Sequence, residues 1–452
     1  MAAEQRFFAP WAWIDGAWAA DVLLTAGADG RWSQVRTGVP AAGRSGAKDL
    51  GGPVLPGLVN AHSHAFQRAI AGLTERSGGE DDFWRWRDRM YAAALRITPP
   101  QLEEIAAGLY AELLQGGYTH VCEFHYLHND EEGRPYAPPA EMALALLRAA
   151  ERTGIGLTLL PTLYMRSGFG AGGLRDDQRR FASSPASVHA IAEAVAGQSA
   201  DPLRFNSGVA LHSLRAVDDA ALAELVAGGQ GPVHIHVAEQ QQEVDDCLAH
   251  HGRRPIEHLL DAARPDARWN LVHATQATPQ ELQALRTTGA AIVLCPTTEA
   301  NLGDGVFDLV AWLGQGGRWS IGSDSHVTRS VSEELRLLEY SQRLQLRRRN
   351  LAARAAGLES SAAALFQGAL AGGSAAAGLP LGGLAAGQRA DFLVIDAAAA
   401  AMRGLPSDYW LDALVFSSPQ PPPREVYVGA RRVDLAPAAD GFVRAMGALW
   451  GS

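Results

Sequence analysis

The chain has 452 residues, 47% hydrophobic and 19% charged, with a formal net charge of -10 at pH 7. That balance excludes a disordered chain and a coiled coil. It also excludes a phosphate-neutralising nucleic-acid binder, because the one dense basic run, Arg347 to Arg349, sits among helix formers and reads as a solvated helix end.

In chain order, residues 6–38 alternate apolar and polar positions with turns at Asp15-Gly16 and Asp29-Gly30, the pattern of short antiparallel strands. The N-terminus lacks a basic start followed by an apolar run, so no signal peptide is expected. From Val54 eight apolar segments recur, each ending in polar residues: VLPGLVNAHSH, YTHVCEFHY, IGLTLLPTLY, NSGVALHSL, PVHIHVAE, WNLVHAT, AAIVLCPTTE and WSIGSD. Helical patterns separate most of them, as at Pro99 to Leu114, Met142 to Glu151 and Ser332 to Leu346.

Strand and helix alternating in this way predict an α/β fold, a parallel (β/α)8 TIM-type barrel, here delimited as residues 56–378. Strand patterning returns in GQRADFLVID and REVYVGARRVDL. Residues 1–55 and 379–452 are therefore expected to build one small β-sandwich domain from both chain ends, followed by a terminal segment. Residues 360–388 are uncharged for long enough to span a bilayer, but Ala, Gly and Ser dominate and Pro380 interrupts them. They read as a packed helix and a loop, with no membrane partner; the Ala-rich stretch at 397–401 reads as local helix or loop. Cys122, Cys247 and Cys295 form neither a disulfide framework nor a CxxC motif, so a reducing cytoplasm is expected.

The chemistry-bearing residues share an address. His62, His64, Glu123, His125, Tyr126, His212, His236, Glu239, His273 and Asp324 all fall at or just after the C-terminal ends of predicted strands, where a TIM barrel builds its site. His62 and His64 are two apart, so both project from one strand face and could grip one cation. His234 and His236 repeat that spacing; alternation does not choose between them, and nearness to the strand end favours His236. Glu239 would face away on a continuous strand and is placed on the following loop.

The set HSH on strand one, His on strand five, His273 on strand six and Asp324 in GSDSH on strand eight resembles the amidohydrolase superfamily. The resemblance spans nearly the whole chain, from PGLVNAHSH to GQRADFLVID. It implies that His62, His64, His236 and Asp324 hold a divalent metal, leaving His273 and Glu239 for catalysis. Many members bridge two ions with a strand-four lysine, but Lys48 is the only lysine here and precedes strand one. One metal per chain is expected; Zn2+ suits the nitrogen and carboxylate ligands, which are compatible with Fe2+ as well. Such a metal would lower the pKa of bound water toward about 7. Asp324 could then accept the water proton, Glu239 pass a proton to a leaving nitrogen, and His273 polarise the carbon under attack.

Finer motifs, HSHAFQRA, FWRWRDRMY, EFHY, ALHSLRAV and CPTTEANLGDGVF, resemble the formimidoylglutamate deiminases within that superfamily. This implies hydrolysis of N-formimidoyl-L-glutamate to N-formyl-L-glutamate and ammonia in histidine degradation, a small-molecule dicarboxylate substrate, and a homodimer. Two carboxylates call for arginine forks. Arg215 follows strand four. Spacing alone does not separate Arg87 from Arg85 and Arg89, and the resemblance selects Arg87. Gln67, Tyr126 and His212 match substrate-contacting positions. His125, His128 and His326 read as loop or mouth residues, while Trp84 and Trp86 either wall a pocket or pack the loop. Two rival readings remain: a mononuclear zinc deaminase of a heterocycle such as guanine, an adenosine derivative or a triazine, which needs no paired arginines, and a barrel that has lost its chemistry, against which the retained ligand set argues.

Overall fold

The computed structural model describes residues 4–76, 83–227, 229–417, 422–435 and 438–451; the side chains of residues 83–85, Trp84 and Arg85 among them, lie outside the description. The eight expected barrel strands are β1 (Leu58–Ser63), β2 (Tyr118–His125), β3 (Gly156–Leu163), β4 (Val209–Ser213), β5 (Val233–Val237), β6 (Trp269–His273), β7 (Ala291–Leu294) and β8 (Arg318–Ile321). Every neighbouring pair from β1 to β8 is parallel. The ring closes just past the strand ends, where Asp324 N–H donates to His62 O at 3.0 Å and His64 N–H to Asp324 O at 3.3 Å. Strands covered on both faces carry continuous apolar runs, which is why these segments stand out in the sequence.

Helix starts follow local chemistry. Thr98-Pro99, Ser184-Pro185 and Thr278-Pro279 each place a hydroxyl N-cap before a proline whose missing N–H costs nothing there, opening helices Pro99–Gln115, Pro185–Gln198 and Pro279–Thr288. The segment read as one strand, NSGVALHSL, is interrupted at Gly208 between Phe205–Ser207 and β4; a Cβ there would lie 2.3 Å from the Pro232 carbonyl oxygen. The uncharged stretch is helix Ser361–Ala377. Its glycines let it lie on β8, since a Cβ on Gly372 would sit 1.7 Å from the Trp319 carbonyl oxygen. Among the described residues no helix is long and apolar enough to cross a membrane.

Both chain ends meet in a second sheet. Its strands run in the order Arg431–Val433, Glu425–Val428, Phe392–Val394, Val54–Pro56, Gln5–Ile14, Ala17–Ala26 and Trp32–Arg36. The first hairpin turns through Asp15 and Gly16, both at positive φ (47° and 87°), the geometry that matches strand twist. The sheet curls so that Trp32 N–H donates to Gln388 O and Ala390 N–H to Gly30 O, enclosing Phe7, Trp32, Phe392 and Tyr427. Buried Arg389 joins this sheet to the barrel, pairing with Asp391 at 2.6 Å and reaching His120 Nδ1 at 3.2 Å. Helix Ala439–Trp450 then returns to pack on Pro99–Gln115.

Candidate active site

His62 and His64 leave β1 on one side, and Ser63 between them turns the other way to donate to Glu123 at 2.7 Å. Burial pushes Glu123 up to about 8, with donors from Ala65, Ser63 and Tyr110 opposing that rise. The tautomers follow from the backbone. His64 Nδ1 lies 2.9 Å from Phe124 O and His236 Nδ1 lies 2.8 Å from His212 O. A carbonyl only accepts, so each Nδ1 carries its hydrogen and each Nε2 presents a bare lone pair.

Those lone pairs converge. His62 Nε2 lies 3.1 Å from His64 Nε2 and 3.0 Å from His236 Nε2, and Asp324 Oδ1 is 3.5 Å from the first and 3.3 Å from the second. A single proton on His62 would satisfy one neighbouring nitrogen and leave the other lone pair facing nitrogen. Burial holds all three imidazoles below their ordinary pKa, hence neutral. His62 thus shares one cluster with His64 and Asp324 and another with His236 and His273, and neutral imidazole nitrogens beside a carboxylate oxygen are a donor set that fits a divalent cation of the zinc type. His234 takes no part, since its Nε2 meets Ala376 O at 3.0 Å.

The strand ends carry backbone strain. Ala238, His273 and Asp324 have φ of 51°, 70° and 47°, left-handed values that cost non-glycine residues on the order of 1 kcal/mol or more each. Ala238 explains Glu239: β5 stops at Val237, the left-handed residue reverses the chain, and Glu239 Oε1 comes within 3.7 Å of His273 Nε2. His273 Nε2 is also 3.7 Å from Asp324 Oδ2, while its Nδ1 lies 3.2 Å from Glu299 Oε1, which accepts the Cys295 N–H at 2.9 Å. Burial alone would lower the His273 pKa, but Glu239, Glu299 and Asp324 outweigh it and raise the imidazole. Burial raises Glu239, with His273 opposing. The pair is thus suited to exchanging a proton with a third group placed between them.

A cavity over this cluster is lined by every predicted substrate-contacting residue, Gln67, Arg87, Tyr126, His212 and Arg215, together with Trp86, Tyr91 and Tyr164. Gln67 donates to Tyr126 Oη at 3.1 Å. Burial works against the Arg215 charge, but the carboxylates of Glu243 and Glu239 more than offset it. The Arg87 guanidinium lies over the Tyr91 ring, 5.5 Å from its centroid. Arg89 turns away to Thr74 O and Arg76 O at 2.8 and 3.0 Å, which separates it from Arg87. His125 packs on His128, whose Nε2 meets Thr162 O, and His326 bridges Ser323 and His64 O; these three brace the rim.

Sequence reasoning did not single out Tyr91, Tyr164, Glu243 or Glu299. Tyr164 closes IGLTLLPTLY at the end of β3, and that address could have found it. Glu243 and Glu299 lie early in helices Gln241–His251 and Pro296–Leu302, where nothing in the sequence distinguishes them from solvated acids.

The amidohydrolase family model matches residues 54–433. Formimidoylglutamate deiminase of Pseudomonas aeruginosa is 47% identical over 429 residues, covering 94% of this chain and 94% of that protein. 8-Oxoguanine deaminase of the same species is 28% identical over 306 residues, 65% of this chain and 64% of that protein. The crystal structure of an amidohydrolase from Brucella melitensis aligns with a TM-score of 0.92 at 41% identity, over 98% of this chain and 99% of that one.

Proposed function

This hydrolase belongs to the amidohydrolase family, and on that premise we propose that it deiminates N-formimidoyl-L-glutamate to N-formyl-L-glutamate and ammonia, a step of histidine degradation. The observation that carries the substrate is one cavity holding both Arg87 and Arg215 beside the Glu239 and His273 pair. We further propose one Zn2+ per chain, held by His62, His64, His236 and Asp324, in a cytoplasmic homodimer. When bound, the metal supplies Lewis acidity and brings the pKa of water toward about 7.

The chain's own groups set up the rest. Arg87 and Arg215 take the two carboxylates, which fixes the amidine carbon deep in the cavity near Asp324. An amidine is a strong base and enters as its cation, complementary to the buried Glu239 carboxylate. Asp324 accepts a proton as water oxygen bonds to the amidine carbon and the C=N bond becomes single. The proton taken by Asp324 passes to Glu239, which hands it to the departing nitrogen; the C–N bond breaks, ammonia leaves, and the hydroxyl proton passes to the freed Asp324 carboxylate as the oxygen becomes the formyl carbonyl. His273, oriented by Glu299, hydrogen-bonds the nascent tetrahedral centre and stabilises charge there.

Ammonia release from N-formimidoyl-L-glutamate, set against guanine, 8-oxoguanine and an adenosine derivative, tests the reading. A preference for a neutral heterocycle would overturn the substrate while leaving the family unchanged.

A further inference from the structure

Three buried side chains beside the two arginines form a closed triangle: Tyr91 from helix Phe83–Ala94, Tyr164 just past β3, and Gln178 in the short helix Asp176–Phe181. The two phenol oxygens are 3.1 Å apart, and Gln178 Nε2 lies 3.1 Å from Tyr91 Oη and 3.0 Å from Tyr164 Oη. The amide cannot be flipped, because the Arg175 N–H donates to Gln178 Oε1 at 3.0 Å. Nε2 therefore faces the tyrosines and gives one N–H to each oxygen.

Each phenol oxygen accepts from Gln178, and the contact between the phenols uses one of their two hydroxyl protons. One proton is left over. Among the described residues nothing accepts it, and both tyrosines line the cavity whereas Gln178 does not.

We propose that the Tyr91, Tyr164 and Gln178 triangle is a third carboxylate-reading element, a hydroxyl donor of fixed polarity that binds one substrate carboxylate oxygen beside Arg87 and Arg215. The proposal rests on the dicarboxylate reading above. Tyr164 is the terminal donor, since its ring packs 4.2 Å from that of His212 and the charges of Arg215 and Arg87 both act on its phenol. Burial, with Tyr91 beside it, pushes the Tyr164 hydroxyl well above its ordinary pKa despite those arginines, so it keeps the proton it must donate. The guanidiniums supply charge; the phenol supplies direction.

Gln178 makes the test, because it sets the polarity without lining the cavity. Gln178→Glu replaces the amide donor by an acceptor, drawing both hydroxyl protons toward residue 178 and leaving none for a ligand. Gln178→Met accepts little and leaves a phenol proton available. Tyr164→Phe removes the donor itself.

The probe is glutarate, a dicarboxylate with no amidine, bound to the full chain and measured calorimetrically, alongside KM and kcat for N-formimidoyl-L-glutamate. The Glu and Phe variants are expected to bind glutarate about 10- to 100-fold more weakly and to show KM raised by a similar factor, the worth of one hydrogen bond to a charged group, with kcat changing less than about threefold. The Met variant should stay within about threefold of the parent. Equal losses in the Glu and Met variants would assign Gln178 a packing role and overturn the proposal. So would unchanged glutarate binding in Tyr164→Phe, or a parent chain that binds no glutarate. Glutarate binding that falls as expected in a parent that deiminates nothing would sink the reaction reading and leave the triangle standing.

Discussion

Replacing Arg215 with methionine keeps most of the side-chain stem and deletes the guanidinium. The residue is 8% exposed, so little water is available to screen what the change uncovers. Glu239 and Glu243 face it, and Glu243 Oε2 also accepts the Glu239 N–H at 3.3 Å, so its guanidinium, with His273 beyond, offsets two buried carboxylates before any substrate arrives. The substrate carboxylate would be a third anion in the same space. Truncating one partner of a buried charge pair costs about 2–5 kcal/mol, and the crowding of acids places this variant in the upper part of that range, about 3.5–5 kcal/mol. At about 1.36 kcal/mol per decade, kcat/KM should fall roughly 400- to 5,000-fold. Ammonia release at low substrate reads the loss, and metal content of the same samples should match the parent because Arg215 is no part of the imidazole cluster. A variant within about tenfold of the parent would refute the placement of a carboxylate at Arg215.

Other expectations follow from the same geometry. His64→Ala and Asp324→Ala should each take metal content from near one ion per chain to near none, with activity lost in step; two tightly held ions in the parent would contradict the single-metal reading. Glu239→Gln keeps the shape but cannot carry a proton, so it should retain metal and lose roughly 10²-fold or more in kcat, and near-normal turnover would assign the shuttle to another group. Gly372→Ala forces a Cβ against the Trp319 carbonyl, which is backbone and cannot step aside. It should cost about 3 kcal/mol, seen as a lower denaturation midpoint; an unchanged midpoint would mean that helix Ser361–Ala377 does not lie on β8 as described.

The barrel was legible because doubly covered parallel strands write apolar runs that contrast with the 3.6-residue period of the helices between them. The candidate site was legible to the extent that a barrel sends every strand's C-terminal end to one rim. His62, His64, His236, His273 and Asp324 could thus be brought together on paper without a single contact being known. Side-chain direction was less legible. His234 and His236 share a strand face, and only their depth in the barrel separates them. Arg87 and Arg89 share a helix, and packing alone sends the second back to the loop carbonyls of Thr74 and Arg76. Glu243 and Glu299 resemble ordinary acids of a first helical turn until the fold buries them behind Arg215 and His273. Tyr164 had the right address, but an aromatic at a strand end packs more often than it bonds, so its hydroxyl carried no signal.

The seam between β1 and β8 ties the site to the order in which the chain can be completed. Asp324 exchanges backbone hydrogen bonds with His62 and His64 and turns its carboxylate toward their imidazoles, so the residue that shuts the ring would also be the last of the proposed ligands to arrive. A chain still emerging from the ribosome, with β1 made and β8 not yet threaded, holds two imidazoles of the quartet on one strand and gains the third only with β5. On the proposed ligand set, full affinity for a cation would therefore appear only once the topology is finished. An ion held as proposed would in turn act as a clasp across the joint between first and last strands, opposing the opening by which the ring would come apart. Chelation should accordingly expose the amides of His64 and Asp324 to hydrogen exchange sooner than those in the middle of β3, making the proposed ion a reporter on barrel closure.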